Sequence, residues 1–157
     1  MKGKLNAEKV TPNWVLPDFE YEAGEISRVI SDFLNLELTE ENVSKINRTI
    51  QQGHVIELDE EIWARLDNTD SYENVELGKI EQVYEIIELS NKELDPKYHR
   101  DVKTIFDGMI NKSPMQMPII IQNKENLYHL VSGNKRLMVC RALKINPKVI
   151  CAKVKHD

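Results

Sequence analysis

The chain has 157 residues, of which 41% are hydrophobic and 30% are charged, and its formal net charge is −5. A chain of this length buries about 70% of its unfolded surface as one domain, and this composition is typical of a globular protein rather than a disordered or fibrous one. The acidic balance argues against a protein whose whole surface grips nucleic acid, because neutralising phosphates requires an excess of basic residues.

The charges are distributed unevenly along the chain. Residues 18–95 carry most of the carboxylates, whereas residues 144–155 contain four lysines and no acidic residue. Because a concentration of one sign of charge attracts the opposite sign, we expect any anion-binding surface to belong to the C-terminal part.

Cysteine content and hydropathy bear on location. The chain has two cysteines, Cys140 and Cys151, and it begins without the apolar stretch of a secretory leader. A disulfide-built secreted scaffold is therefore not expected, and we predict a cytoplasmic protein in which both cysteines are small core residues. Apolar runs such as 118–121 are far shorter than the about 20 residues of a membrane-spanning helix, so no association with a membrane is expected.

The first part of the chain reads mainly as helix. The prolines, Trp14 and Phe19 of the first twenty residues indicate an extended arm held by its aromatic side chains. Apolar residues then recur every three to four positions over 22–36, which predicts an amphipathic helix. Thr39 has the chemistry of an N-cap for a second helix, and Gly53 supplies its stop.

Shorter elements follow, and then two more helices. The patterns predict a strand over 54–58, a helical stretch over 60–66, a loop over 68–71, and helices over 76–90 and 97–111. Asp95-Pro96 separates the last two helices, because proline cannot continue a helix without breaking it.

After Pro114 the residue pattern changes from helical periodicity to β-rich segments. A β-rich run over 117–121, a turn over 123–126 and a strand over 127–131 indicate a hairpin. Gly133 ends the second strand, a helix runs to about 145, and a turn leads into a closing strand over 149–154.

These patterns predict an α+β protein. A mainly helical N-terminal part, 1–98, is expected to pack on a small mixed sheet within 99–157, the two parts forming one compact domain. The segment 118–154 is expected to form a compact βαβ-like module that binds phosphate.

The residues that carry this prediction lie at the strand-to-helix junction. Ser132, Gly133, Asn134, Lys135 and Arg136 combine a glycine for a tight turn, free backbone N–H groups at a helix start, and two cations in its first turn. Cations at the positive end of a helix dipole are unfavourable unless an anion binds beside them, and phosphate is the natural ligand for such a site. Pairing of the two cations with acids of the helical region explains the spacing equally well.

The same segment resembles the ParB/sulfiredoxin-like superfamily. The resemblance spans 118–154, about a third of the chain, with Tyr128 to Leu137 at its centre and the helix over 99–111 as the usual lead-in. The whole pattern is also similar to small ParB-like proteins of tailed bacteriophages. It implies a sheet of ParB/sulfiredoxin-like type, and a location in the host cytoplasm if the protein is phage-encoded.

The resemblance also implies a ligand. In that superfamily a Gly-x-x-Arg element, here Gly133 and Arg136, binds the phosphates of a nucleotide, which implies ATP, ADP or CTP together with Mg²⁺.

Departures from characterised members narrow the function. Sulfiredoxins carry their catalytic cysteine directly after the glycine, where this chain has Asn134, so reductase chemistry at this position is excluded. Chromosome-segregation ParB proteins carry an acidic-arginine pair in place of Asn134-Lys135 and a downstream helix-turn-helix domain that is absent here, which argues against CTP-dependent clamping. Free serine kinases of the superfamily add an acidic base and a histidine, and the sequence assigns neither.

Carboxylates that would take such a role are Glu57, Asp59 and Glu60, with His54 close by in sequence. A carboxylate beside bound Mg²⁺ and triphosphate serves as a metal ligand or a general base. The competing interpretation is that these charges are solvated at a strand end and a helix cap, and it is the one that the setting favours.

His129 is weighed in the same way. It lies on the predicted strand 127–131, where a packed or surface residue is favoured over a catalyst. Its nearness to Ser132 in the chain keeps it a candidate.

Two functions are compatible with these features. The first is nucleotide binding, with or without Mg-dependent hydrolysis or phosphoryl transfer, so the sequence leaves open whether the protein is an enzyme. The second is a non-catalytic module of phage origin that contacts DNA or a host protein, and the acidic residues 18–95 favour a protein over DNA.

Overall fold

The computed structural model describes residues 10–19, 33–67, 79–98 and 101–154. Within these ranges the chain forms five α-helices, one 3₁₀ helix and two small sheets, which confirms the predicted α+β class. In chain order the elements are β1 (Asn13–Val15), α1 (Glu40–Gln51), β2 (His54–Glu57), α2 (Glu60–Arg65), β3 (Leu66–Asp67), α3 (Ile80–Lys92), the 3₁₀ helix (Pro96–Tyr98), α4 (Lys103–Asn111), β4 (Pro114–Gln116), β5 (Ile119–Gln122), β6 (Tyr128–Ser132), α5 (Asn134–Ala142) and β7 (Lys148–Lys153).

Helix α1 begins where the sequence predicts. Thr39 has an extended backbone, and its hydroxyl oxygen accepts a hydrogen bond from the N–H of Asn42 at 3.1 Å. This bond satisfies one of the backbone donors left over at a helix start. Ile46 and Ile50, one turn apart, are 1% and 2% exposed, so the predicted apolar face is the buried one.

Three predicted elements differ from the structure or lie outside it. Of the predicted helix 22–36, residues 22–32 lie outside the described ranges, and 33–36 form a turn and irregular backbone. The predicted loop 68–71 also lies outside those ranges. The arm contains a strand that was not predicted, β1, which pairs with β4.

The predicted helix 97–111 is interrupted. A 3₁₀ turn occupies Pro96–Tyr98, and α4 begins only at Lys103. The Asp101 carboxylate accepts hydrogen bonds from the backbone N–H and the hydroxyl of Thr104, which is the behaviour of an N-cap. A capping residue makes a new helix start, and periodicity alone does not reveal it.

Helix α5 ends three residues earlier than predicted. Lys144 has a φ of 60°, in the left-handed region, and its N–H donates to the carbonyl of Arg141. The N–H of Ile145 then donates to the carbonyl of Cys140, which closes the helix in the manner of a Schellman motif. Glycine usually takes this position, so the sequence carried no stop signal there.

The larger sheet has the strand order β2-β7-β5-β6-β3 and is mixed. The β2/β7 and β5/β6 pairs are antiparallel, whereas β5/β7 and β3/β6 are parallel. Ile119, Ile120 and Ile121 of the central strand are at most 1% exposed. Because successive strand residues point to opposite faces, both faces of β5 are buried.

The strands on either side of α5 are not the parallel pair of a βαβ unit. β6 is antiparallel to β5 and β7 is parallel to it, so β6 and β7 run in opposite directions with β5 between them. Consequently the last residue of β6, the first residue of β7 and the first residue of β5 lie at the same end of the sheet. The predicted order strand-helix-strand is confirmed, and the βαβ-like geometry is wrong because the hairpin turn at 123–126 reverses β6.

The chain divides into two compact units, each made of several segments. The helical unit consists of the described parts of 1–15, 70–115 and 134–146, and contains α3, α4 and α5. The sheet unit consists of the described parts of 16–69, 116–133 and 147–157. The sequence-based parts 1–98 and 99–157 each contribute to both units.

The helical unit is held together by side chains of its three helices. Val83 and Met109 have no exposed surface, and the rings of Tyr84 and Phe106 meet edge to face with their centroids 6.5 Å apart. The sulfur of Cys140 lies 4.0 Å from that of Met109, so α4 and α5 are in direct contact.

In the sheet unit, α1 packs against β7, and the core is formed by the central strands. Nowhere in the part of the chain that the structure describes is a helix long and apolar enough to cross a membrane.

Candidate functional site

The strand-to-helix junction lies at the residues that the sequence singles out. β6 ends at Ser132, α5 begins at Asn134, and Gly133 between them has a φ of 113°. L-residues rarely adopt this conformation, whereas glycine adopts it without steric cost. The predicted tight turn is therefore present.

Close packing makes a second demand on Gly133. A Cβ added there would lie 2.6 Å from the Cβ of Pro118 and 2.9 Å from its Cα. Pro118 is itself fixed, since its carbonyl accepts the N–H of Ile150 at 2.9 Å. Backbone conformation and packing therefore both require glycine, and neither requirement involves a ligand.

The first turn of α5 is cationic. It contains Lys135 and Arg136 and no acidic residue, and both side chains are half-buried. The Nδ2 group of Asn134 donates weakly to the Met138 sulfur at 3.8 Å, back along the same helix. This helix start therefore combines backbone donors, a partial positive charge and two full positive charges.

One carboxylate that the sequence did not single out bears on this helix start. Hydrogen bonds from the hydroxyl and the N–H of Thr104 hold the pKa of Asp101 below its usual value, and the positive charge of Lys135 contributes in the same direction. Asp101 is therefore within electrostatic range of Lys135. Its capping pattern was present in the sequence, but no local signal relates residue 101 to residue 135.

The predicted carboxylates Glu57, Asp59 and Glu60 are exposed. Glu57, the last residue of β2, and Ser132, the last residue of β6, lie at the same end of their strands. However, β7 and β5 lie between these two strands. Three interstrand spacings correspond to about 14 Å. The structure therefore does not bring these carboxylates to the Gly133 turn, and His54, at the other end of β2, lies at the opposite edge.

Asp59 has a structural role. Its carboxylate accepts a hydrogen bond from the N–H of Ile62 at 3.0 Å and caps α2. This geometry agrees with the alternative interpretation, in which the acidic residues after β2 belong to a helix cap.

Two substitutions of Asp59 test whether its carboxylate stabilises the helix start. We expect Asp59→Asn, which keeps a capping oxygen, to change the free energy of unfolding by less than about 0.5 kcal/mol, and Asp59→Ala to lower it by about 1 kcal/mol. Urea denaturation of both variants measures this. Equal losses in the two variants would contradict the capping role.

His129 is packed rather than exposed. It is 5% exposed, and its ring stacks on Phe33 with the centroids 4.8 Å apart and an interplanar angle of 27°. A bulge interrupts the alternation of β6 between Leu130 and Ser132, and the register places His129 opposite Ile121 and Ser132 opposite Ile119 of β5. Burial against Phe33 agrees with the packed interpretation, and the register does not separate His129 and Ser132 onto opposite faces of the sheet.

Cys140 is a core residue, as predicted, whereas Cys151 is only partly buried. Burial raises the pKa of the Cys140 thiol, an effect that the nearby charge of Arg136 opposes, and burial raises the pKa of Cys151 to about 11. Both are free thiols, and a raised pKa keeps them mostly protonated and slow to react.

The residues at the helix start can be compared with the ligands that a nucleotide and Mg²⁺ require. Among the described residues, no group of three or more His, Cys, Asp or Glu side chains could hold a metal ion. Protein-bound Mg²⁺ often has only one or two carboxylate ligands, the rest being water and substrate phosphates. The cationic helix start fits the phosphates, and Asp101 is a described carboxylate that electrostatics relates to it.

Comparison of the chain with models of known protein families, with curated proteins and with solved structures yields no match.

Proposed function

We propose that the protein binds a nucleotide through its phosphates at residues 132–136, in the manner of a ParB/sulfiredoxin-like protein. The observation that carries the proposal is the first turn of α5, where Lys135 and Arg136 stand with no acidic residue. Cations at this end of a helix oppose its dipole, by about 0.3–1 kcal/mol each at an exposed site, so the arrangement favours an anion.

Phosphate suits this arrangement for a second reason. The backbone N–H groups of a helix's first turn point out along its axis, and α5 is nine residues long, so its dipole is developed. Arg136 would supply a planar, bidentate donor and Lys135 a compact charge. Ser132, the last residue of β6, would add a hydroxyl.

The competing interpretation is that the two cations pair with acids of the helical region, and among the described residues Asp101 is a candidate for this. Asp101 is in electrostatic range of Lys135, yet it is exposed and already accepts two hydrogen bonds from Thr104. We infer that Asp101 is better suited to sharing a bound Mg²⁺ with the phosphates than to neutralising both cations.

Hydrolysis or phosphoryl transfer would need a base as well. Bound Mg²⁺ would neutralise charge on the phosphates and fix their orientation. Glu57 and Asp59 are too far from the Gly133 turn to serve, and the ring of His129 is buried against Phe33. Nucleotide binding is therefore the function that we propose, and turnover is a question for assay once a nucleotide is found.

A thermal-shift screen with ATP, ADP, CTP, GTP and dinucleotides, with and without Mg²⁺, tests the proposal. A ligand at 100 times its Kd adds about 2.7 kcal/mol to the free energy of unfolding, which is a readily measured shift. The absence of a shift with every nucleotide would contradict the proposal and favour the second function, a module that binds DNA or a host protein without catalysis.

We expect Arg136→Ala to weaken the binding of any nucleotide found in that screen by about tenfold or more, because a charge-assisted hydrogen bond contributes about 1.5–3 kcal/mol. Titration calorimetry on the intact chain measures the loss. Arg141→Ala is the matched control, because it removes the same group from the last turn of α5, and it should leave the Kd unchanged. Equal effects of the two substitutions would contradict the assignment.

A further inference from the structure

The sheet unit contains a cavity at the other end of its strands from Gly133. It has a volume of about 650 Å³ and lies where α1 ends, β2 begins at His54 and β7 ends at Lys153. Ser132, in contrast, is in register with Ile119 at the beginning of β5. The cavity is therefore distinct from the proposed phosphate site.

The lining of this cavity has charge of one sign. The charged side chains among its lining residues are Lys45 and Lys153, and none of its lining residues is acidic. Neither lysine forms a salt bridge within the described part of the chain, and the Lys153 ammonium only approaches the Asn126 amide oxygen, at 3.5 Å. In a chain whose net charge is −5, such a lining selects anions.

The lining also has apolar walls. Ile46 of α1 and Val154, just after β7, are buried core residues that back the cavity. The volume is within the about 300–1,000 Å³ of typical small-molecule sites, which combine apolar walls with a few polar groups that orient the ligand.

We propose that this cavity binds a small organic anion with an apolar body, its anionic group held by Lys45 and Lys153. The apolar part of the ligand would contact Ile46 and Val154. The proposal is independent of the nucleotide site at 132–136.

The probe for the test is 8-anilinonaphthalene-1-sulfonate, which joins an aromatic body to one negative charge and becomes fluorescent in an apolar site. We expect saturable binding to the intact chain, and about tenfold weaker binding by the Lys45→Met/Lys153→Met variant, which keeps the apolar stems and removes both charges. N-phenyl-1-naphthylamine, the uncharged analogue, should bind wild type about tenfold more weakly than the sulfonate and should be insensitive to the substitutions.

The control variant is Lys79→Met/Lys148→Met, which changes the net charge equally at two exposed lysines away from the cavity. It should bind the sulfonate as wild type does. If it is weakened as much as the Lys45→Met/Lys153→Met variant, the effect is one of overall charge and the proposal is wrong. Unchanged binding by Lys45→Met/Lys153→Met overturns it equally.

Cys151 locates the bound probe, because it lines the cavity whereas Cys140 is fully buried. Burial raises the pKa of Cys151 to about 11, so alkylation by iodoacetamide is slow and can be followed by peptide mass spectrometry at mildly alkaline pH. Saturating probe should slow alkylation of Cys151 severalfold in wild type. An unchanged rate would place the probe elsewhere and overturn the proposal.

Discussion

Replacing Gly133 with alanine is expected to lower the free energy of unfolding by about 3 kcal/mol or more. The φ of 113° is in a region that costs an L-residue about 1–3 kcal/mol. The added Cβ would also lie 2.6 Å from the Cβ of Pro118, and relieving such overpacking typically costs a further 1–3 kcal/mol, approximately. Pro118 cannot retreat easily, since its carbonyl is bonded to the N–H of Ile150 in β7.

Urea denaturation of wild type and variant, with the slope of the transition compared, measures this loss. Gly108→Ala is the matched control. Gly108 lies inside α4 without a positive φ, and the added Cβ meets the flexible end of Met115 at 3.0 Å and the Cβ of Ser113 at an ordinary contact distance of 3.8 Å. Alanine is favoured over glycine in a helix by about 1 kcal/mol, so the control should remain within about 1 kcal/mol of wild type. A similar result for Gly133→Ala would contradict the strain argument.

The Gly133 result bears on how the phosphate site can be tested. The glycine is required by backbone conformation and by Pro118, so its substitution should destabilise the protein whether or not a ligand binds. A loss of binding in Gly133→Ala would therefore not distinguish the two functions. Arg136 is the discriminating position, because its backbone conformation and the packing of its Cα do not require its side chain in the way that the Gly133 turn requires glycine.

Local chemistry explains what was predictable from the sequence. The start of α1 at Thr39, the hairpin of β5 and β6, and the turn at Gly133 each depend on residues within a few positions of one another. N-caps, strand alternation and glycine turns have their physical cause in the neighbouring backbone, and so a single sequence contains them.

Long-range pairing explains what was not predictable. β1 and β4 are about 100 residues apart in the chain, and no property of Asn13–Val15 selects that partner. The electrostatic relation between Asp101 and Lys135 likewise depends on the packing of α4 with α5. The cavity at the end of β7 arises from α1, β2 and β7 together, and no single stretch of sequence signals it.

His129 shows both limits at once. Alternation along β6 predicts that it lies on the other face from its neighbours, but the identity of the covering group, Phe33, comes from a distant segment. The bulge in β6 before Ser132, which decides the face that Ser132 shares, was likewise not visible in the sequence. The position of Glu57 also depends on long-range pairing, because it lies at the same end of the sheet as Ser132 but three strands away.

The hairpin turn provides a second large effect. The Asn123 side chain is buried, and its amide oxygen accepts hydrogen bonds from the N–H groups of Glu125, at 2.9 Å, and Leu127, at 3.0 Å. We expect Asn123→Ala to lower the free energy of unfolding by about 2–3 kcal/mol, because it removes the shared acceptor of two backbone donors. Asn123→Asp keeps an oxygen in that position and should lose less than about 1 kcal/mol.

Urea denaturation of both Asn123 variants measures the losses, and amide hydrogen exchange locates them. In Asn123→Ala the amides of Glu125 and Leu127 should exchange faster than in wild type, whereas those of α1, at a distance along the chain, should change only with global stability. If alanine and aspartate are equally destabilising, the loss does not come from the missing acceptor. If both are harmless, the turn is held by its backbone bonds alone, such as the one from the Asn123 N–H to the Leu127 carbonyl.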